Sequence, residues 1–160
     1  DLGHKRIAEI SGPLRNQDAS DRHLSWLETL KHNDLKAGRS IESDFTIDGG
    51  YQAMHQLLEA NEPFTAVFIG NDSMAIGAHT ALRERGLRVP DDISIVGFDD
   101  IPESAHFVPG LTTVRQDFQL VGRLAVEYIV NMIDNPDTPI HQRVLQPKLI
   151  IRESACPPLT

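Results

Sequence analysis

Cysteine is nearly absent from this chain: among its 160 residues only Cys156 carries a thiol. A single cysteine excludes a disulfide within the chain and any metal site built on a cysteine cluster, and it fits a reducing compartment. No apolar run approaches the ~18 residues that cross a bilayer, so no membrane segment is expected. No signal peptide is visible either. The chain opens on Asp1 rather than Met, and is therefore expected to be a fragment or a processed product. Positive charge is also scarce. Fifteen Lys and Arg against 23 Asp and Glu leave a net charge of −8. So acidic a chain is not expected to grip DNA by itself, because phosphate binding needs a basic face; a DNA-binding segment elsewhere in a longer parent protein is compatible with it.

The usual signatures of catalysis and cofactor binding are missing as well. The seven histidines show no H-E-x-x-H or H-x-x-x-H type of spacing, so no zinc site is expected. Glycine occurs in "ISGP", "IDGG" and "FIGND", but never in the arrangements that cradle a nucleotide phosphate. There is no G-x-S-x-G nucleophile turn. Asp72 and Asp99 could in principle share a magnesium ion, but nothing fixes convergent oxygen ligands. No metal and no cofactor are assigned.

What is present is an alternation of strand and helix. "RIAEI" (Arg6 to Ile10) reads as a short strand ended by "SGP". From about Ala19 to Asn33, Leu24, Leu27 and Leu30 recur at helical spacing with Trp26 beside them. Ile41 to Phe45 is a weaker strand. Asp48 then caps a helix reaching about Ala60, with Tyr51, Met54, Leu57 and Leu58 on one face. "TAVFIG" (Thr65 to Gly70) is a buried strand. Asp72 stands where the next N-cap belongs, Met74, Ala75, Ala78 and Leu82 form that helix's apolar stripe, and Gly86 closes it as a C′ residue. "ISIVGF" (Ile93 to Phe98) is the third strong strand. A loop with Pro102, Pro109 and Gly110 leads to "LTTVRQ". Asp117 opens a long helix to about Ile133, "NPDTP" breaks it, and "VLQPKLIIRES" is extended. This order implies an α/β three-layer sandwich: right-handed βαβ units, a mostly parallel sheet, and helices on both faces.

Ligands of such sheets bind at the carboxyl ends of the strands. "GFDD" ends one of them in two carboxylates. Neighbouring strand residues point to opposite faces, so Asp99 and Asp100 are not expected to act as a catalytic pair on one substrate atom. "DIPE" resembles a helix start, and Asp100 is expected to be its cap, with Glu103 three residues on. Asp99 is left at the mouth of the crevice without a backbone task. By the same logic Asp72 caps its helix and leaves Asn71 at a strand tip. An amide and a carboxylate together suit a ligand dense in hydroxyls. Arg22, near the start of the first helix, could add a planar fork of donors, and Phe45 a ring for the apolar face of a sugar. Read from the residues alone, Arg22 is equally at home on a solvated helix face, and Phe45 in the core.

The strings "LGHKRIAEISGP", "TAVFIGNDSMAIGAHTALRERGLRVPDDISIVGFDDIPES" and "PGLTTVRQDFQLVGRLAVEYI" closely resemble the effector-binding core of the lactose/galactose repressor (LacI/GalR) family, and the likeness runs to "LIIRES". The resemblance implies a periplasmic-binding-protein-like (class I) fold, with residues 1–117 forming its C-terminal lobe. Residues 118–149 would be a crossover helix and strand belonging to the other, N-terminal lobe, and residues 150–160 a return segment and tail. It implies Arg22, Phe45, Asn71, Asp99 and Gln116 as effector contacts. One departure is visible: the family carries a Gly-aromatic pair after that arginine, whereas "HLSW" puts Ser25 before Trp26.

By the same resemblance the parent would be a cytoplasmic, homodimeric transcription regulator. It would bind a small effector, a sugar or related polar metabolite, and would reach operator DNA through a head domain outside this chain. The helix from Asp117 would present an apolar face with no sheet over it, expected to pack on another chain or on its own lobe. Two other readings are weighed against this one. A periplasmic sugar-binding protein shares the fold but is disfavoured by "VPDDISIVGFDD…LTTVRQ". A glycosidase using Asp72 or Asp99 is disfavoured because those residues already serve as cap and ligand contact.

Overall fold

The computed structural model describes residues 2–136, 139 and 141–159. Four strands form a parallel sheet in the order β2-β1-β3-β4, with β1 at Ile7–Ser11, β2 at Ser40–Glu42, β3 at Ala66–Ile69 and β4 at Ser94–Val96. In register, Ile10 lies beside Ile41 on one side and Ile69 on the other, and Val67 lies beside Ile95. The connections are α1 (Gln17–His32), α2 (Ile47–Glu59) and α3 (Asp72–Glu84). The expected mostly parallel α/β architecture is present.

The core lies between the sheet and the α2/α3 pair. Ile10, Ile69 and Ile95 meet Met54, Leu57, Met74 and Leu82 there, all inaccessible to solvent. Glycine lets the two helices approach. A Cβ on Gly77 would lie 1.9 Å from the Ile47 carbonyl oxygen, and one on Gly50 would lie 2.1 Å from that of Met74. Burying seven such side chains, at ~1.5–3 kcal/mol each, is enough to drive assembly of this layer.

The opposite face carries α1, and its contacts are more polar. Its buried residues are Ala19, Trp26 and Leu30, while Leu24 is exposed. Of the leucine triplet Leu30 is buried, Leu27 half-buried and Leu24 exposed, and the inward line is Ala19, Trp26 and Leu30. Beneath it Glu9, wholly buried on β1, accepts from Ser40 Oγ and pairs with His23 Nδ1, each at 2.6 Å.

Three caps differ from expectation. Thr46, not Asp48, caps α2, accepting from Gly49 N at 2.9 Å. Asn71, not Asp72, caps α3, accepting from Met74 N at 2.8 Å. A 3₁₀ turn at Pro102–His106 follows Ile101, and the Asp100 carboxylate takes no part in capping it. Asp117 does cap its helix, α4 (Phe118–Asp134), accepting from Leu120 N at 2.8 Å. Gly86 follows the α3 C-cap at φ 72°, the left-handed backbone that glycine adopts freely.

Beyond β4 the chain turns through the 3₁₀ segment and runs beside the end of β4. Gly97 N donates to Thr112 O and Asp99 N to Val114 O, each at 2.9 Å. Here β5 (Thr113–Arg115) also pairs antiparallel with β6 (Lys148–Ile150), which brings the chain back from α4. No residue of α4 is buried. Its half-buried line, Leu120, Leu124, Tyr128 and Met132, includes the residues turned toward the 141–148 segment, and His141 N donates to the Tyr128 hydroxyl at 2.9 Å. Ile129, Val130 and Ile133 stay exposed. Part of the "NPDTP" break falls on residues 137 and 138, which, like residue 140, lie outside the described residues.

Candidate functional site

The carboxyl ends of β1, β2, β3 and β4 open on one side, and the loops there carry the polar groups. Three residues other than glycine hold positive φ at this edge: Phe45 at 69°, Asp99 at 110° and Asp100 at 56°. Such backbone is uncommon for side-chain-bearing residues and clusters at sites where geometry serves a ligand.

Arg22 projects from the first turns of α1 between two rings. Its guanidinium carbon lies 5.5 Å from the Phe45 centroid and 4.7 Å from that of Phe98, within range of cation–π attraction. Nη2 donates to Asp18 one helical turn earlier. The Nε atom is buried and without a hydrogen-bond partner among the described residues. Phe45 reaches this position by lying over the end of β1. A Cβ on Gly12 would come within 2.1 Å of the Phe45 Cζ, so the "SGP" glycine is what admits the ring.

Asn71 supports the same loop. Besides capping α3, its Nδ2 donates to the Phe45 carbonyl oxygen at 3.1 Å. The amide retains one hydrogen and one lone pair for another partner. The sequence had left this side chain free at a strand tip, whereas the structure uses both its ends.

The two carboxylates of "GFDD" do separate, but not by strand alternation: β4 ends at Val96, and the positive φ of Asp99 and Asp100 turns their side chains apart. Asp99 is half-buried and accepts from Gln116 Nε2 at 3.3 Å. Burial pushes its carboxyl above the ordinary range. Gln116 and Arg22 oppose that shift, while Asp72 and Asp18 add to it. Asp100 turns away to Arg152, which donates at 2.6 Å, and to Arg115. Burial works against its ionisation, but the hydrogen bonds from Arg152 and Arg115 prevail and hold its pKa below the ordinary carboxylate value. Asp100 is therefore a clamp joining β4's end to β5 and the C-terminal segment, and not the cap the sequence suggested.

Asp72 is also not a cap. Its side chain is fully buried, and it accepts from Ser104 Oγ and Thr113 Oγ1, each at 2.6 Å, and from Ile101 N at 3.1 Å. Gly97 makes room for it, since a Cβ there would fall 2.2 Å from Asp72 Oδ1. With three donors bound and its side chain buried, this carboxylate is committed to protein partners.

Arg22, Phe45, Asp99 and Gln116 thus share one site, with Asn71 bracing it. Sequence reasoning missed Phe98 and Asp18. The i, i+4 spacing of Asp18 and Arg22 on a helix was the available signal for the second; the strand residue before "DD" gave none for the first. Phe98 and Gln116 also line a groove of about 730 Å³ that continues along α4, past Leu120, Leu124 and Tyr128. Chemically the site offers two apolar faces, one guanidinium, two carboxylates and two amides. It holds no nucleophile beside a base. No helix among the described residues is long and apolar enough to cross a membrane.

Residues 1–155 match the sequence family described as periplasmic binding protein-like domain. The chain is 39% identical over 154 residues to the HTH-type transcriptional repressor PurR of Photorhabdus laumondii subsp. laumondii, covering 95% of this chain and 45% of that protein. Among solved structures it superposes on a dimeric Lac repressor with an 11-residue C-terminal deletion at TM-score 0.94 and 35% identity, over 99% of this chain and 58% of that one. A transcriptional regulator CelR–cellobiose complex matches at TM-score 0.90 and 35% identity, over 96% and 47%. The chain therefore spans about half the length of the curated relatives it matches.

Proposed function

The chain belongs to the periplasmic binding protein-like family, in its lactose/galactose repressor branch, and on that premise we propose that it is the effector-sensing part of a bacterial DNA-binding transcription regulator, most simply a repressor. The observation that carries the reading is the convergence of Arg22, Phe45, Phe98, Asp99 and Gln116 at the carboxyl ends of the parallel strands. Rings that cover an apolar face and polar groups that fix hydroxyls are what a sugar or a related polar metabolite needs. The site is shaped for recognition, and the reading assigns it no reaction.

Residues 118–149 are read as part of a second lobe whose remainder lies outside this chain. The absence of any buried residue on α4, and the exposure of Ile129, Val130 and Ile133, support this. The hydrogen bonds of Asp100 and Arg152 across β4, β5 and the C-terminal segment would then stiffen the crossing between lobes. A ligand held between lobes changes their mutual angle only by binding one arrangement better than the other. An attached DNA-binding head would feel that shift as altered operator affinity. The reading includes a homodimer, as in the dimeric Lac repressor it superposes on, and a cytoplasmic location.

A periplasmic sugar-binding protein would use the same fold, but 39% identity to a named repressor favours regulation. The test is a thermal-shift screen of sugars and nucleosides on the full-length protein, followed by operator binding with and without the hit. A ligand that raises the melting temperature and changes operator affinity is expected. A stabilising ligand without any effect on DNA binding would favour the transport reading.

A further inference from the structure

Arg22 is the one cation among the residues that build the site, and its charge is already engaged. The guanidinium lies against Phe45 and Phe98, so its N–H groups face outward only at the edge. Nη2 at that edge donates to Asp18 at 2.5 Å. A carboxylate or phosphate on a ligand would seek the same edge, where paired donors are strongest. It would meet Asp18 in place and, nearby, Asp99. The two acids are close enough that Asp18 disfavours ionisation of Asp99. Other cations of the region are held or stand elsewhere. Arg115 and Arg152 bind Asp100, while Arg143 and Lys148 line the groove along α4 from the 141–148 side.

We infer that Asp18 is a specificity-determining residue: by occupying the outer edge of Arg22 it makes the site select an uncharged polyhydroxy ligand over its carboxylated or phosphorylated counterpart. This rests on the effector-site reading given above. Neutral hydroxyls suit the remaining groups, since they donate to Asp18 and Asp99 and accept from Gln116 Nε2. Two carboxylates facing one guanidinium leave the site net negative, which repels an anion and costs a neutral sugar nothing. A purely local role for Asp18, as an i, i+4 partner that steadies α1, predicts a change in helix stability and no change in ligand preference.

The test is calorimetric titration of the full-length protein with matched probes: glucose, glucuronate and glucose 6-phosphate, then inosine and inosine 5′-monophosphate. In the wild type the neutral member of a binding set is expected to bind at least tenfold tighter than its anionic counterparts. Asp18→Asn removes the negative charge at the edge of Arg22 and is expected to shift the anionic-to-neutral affinity ratio about tenfold or more toward the anion, the scale of one charged hydrogen bond. Asp18→Glu keeps the charge within reach of Arg22 and is expected to retain the wild-type ratio. Preference of the wild type for an anionic member, or an unchanged ratio in Asp18→Asn with binding intact, overturns the inference and leaves the effector site standing. Binding that survives Asp99→Ala at full strength overturns the effector-site reading and the inference together.

Discussion

Thr113 Oγ1 donates to Asp72 Oδ1 at 2.6 Å with both side chains fully buried, joining the first residue of α3 to β5 beneath the floor of the site. Ser104 and the Ile101 amide complete the set. The network holds "GFDD" and "LTTVRQ" in register, and so fixes where Asp99 and Gln116 meet. Removing the carboxylate leaves two buried hydroxyls and the half-buried Ile101 amide without a partner. Asp72→Ala is expected to destabilise the chain by roughly 3–5 kcal/mol. Urea denaturation measures it, and a loss under about 1 kcal/mol would mean that the donors find water.

The two acids of "GFDD" carry opposite pH signatures. Asp100 has a depressed pKa, so its contribution to stability is present above its unfolded value, ~3.9, and is lost as pH falls through the depressed one. Asp99 has a raised pKa, so its contribution is present below ~3.9 and is lost as pH rises through the raised value. Asp100→Asn is expected to lower stability at pH 7 by about 1.5–3 kcal/mol and to flatten the acid limb of the stability profile. Asp99→Asn is expected to raise stability at pH 7, the usual trade of a ligand contact for a relaxed site. Urea titrations between pH 3 and pH 7 distinguish the signs.

Gly12 is predicted to control ligand affinity without touching the ligand. Alanine there must displace the Phe45 ring, and with it one wall of the Arg22 stack. A weakening of effector affinity by roughly tenfold is expected, in keeping with a partly desolvated cation–π contact. Calorimetry on Gly12→Ala checks it, with the melting temperature as the control for folding.

The exposed face of α4 yields a further contrast. In the full-length protein Ile129 and Ile133 are expected to be covered, so Ile129→Asp with Ile133→Asp should cost at least ~1.5–3 kcal/mol per site. In this chain alone the same pair should suppress self-association, read by light scattering. An unchanged melting temperature of the full-length double variant would contradict the two-lobe reading of residues 118–149.

Most of the fold was legible because periodicity and punctuation agreed. "TAVFIG" and "ISIVGF" hold strands at Ala66–Ile69 and Ser94–Val96, Gly86 ends α3, and Asp117 starts α4, as local chemistry dictates. The errors share a cause: tertiary partners claimed side chains to which the local pattern had given another task. Asp72 looked like a cap, but Ser104 and Thr113, more than thirty residues away, bind it, and the neighbouring amide of Asn71 took the capping position. Asp100 was drawn off in the same way by Arg152. Leu24 fell outside the α1 stripe because β1 offers that helix a buried glutamate and a place for an indole, and no broad apolar surface. Within the site, Arg22, Phe45, Asp99 and Gln116 could be named from strand-end logic and family likeness. Phe98 could not, since a phenylalanine ending a hydrophobic strand reads as core until the Arg22 guanidinium is seen against it.

The central claim is that the strand-end cluster around Asp99 is where a small polar effector binds. Calorimetric titration of the full-length protein with the ligand that stabilises it most, repeated on Asp99→Ala, tests this directly. Loss of hydrogen bonds to a charged acceptor, each ~1.5–3 kcal/mol, predicts an affinity at least tenfold weaker. The same affinity in both proteins, with both folded, would contradict it.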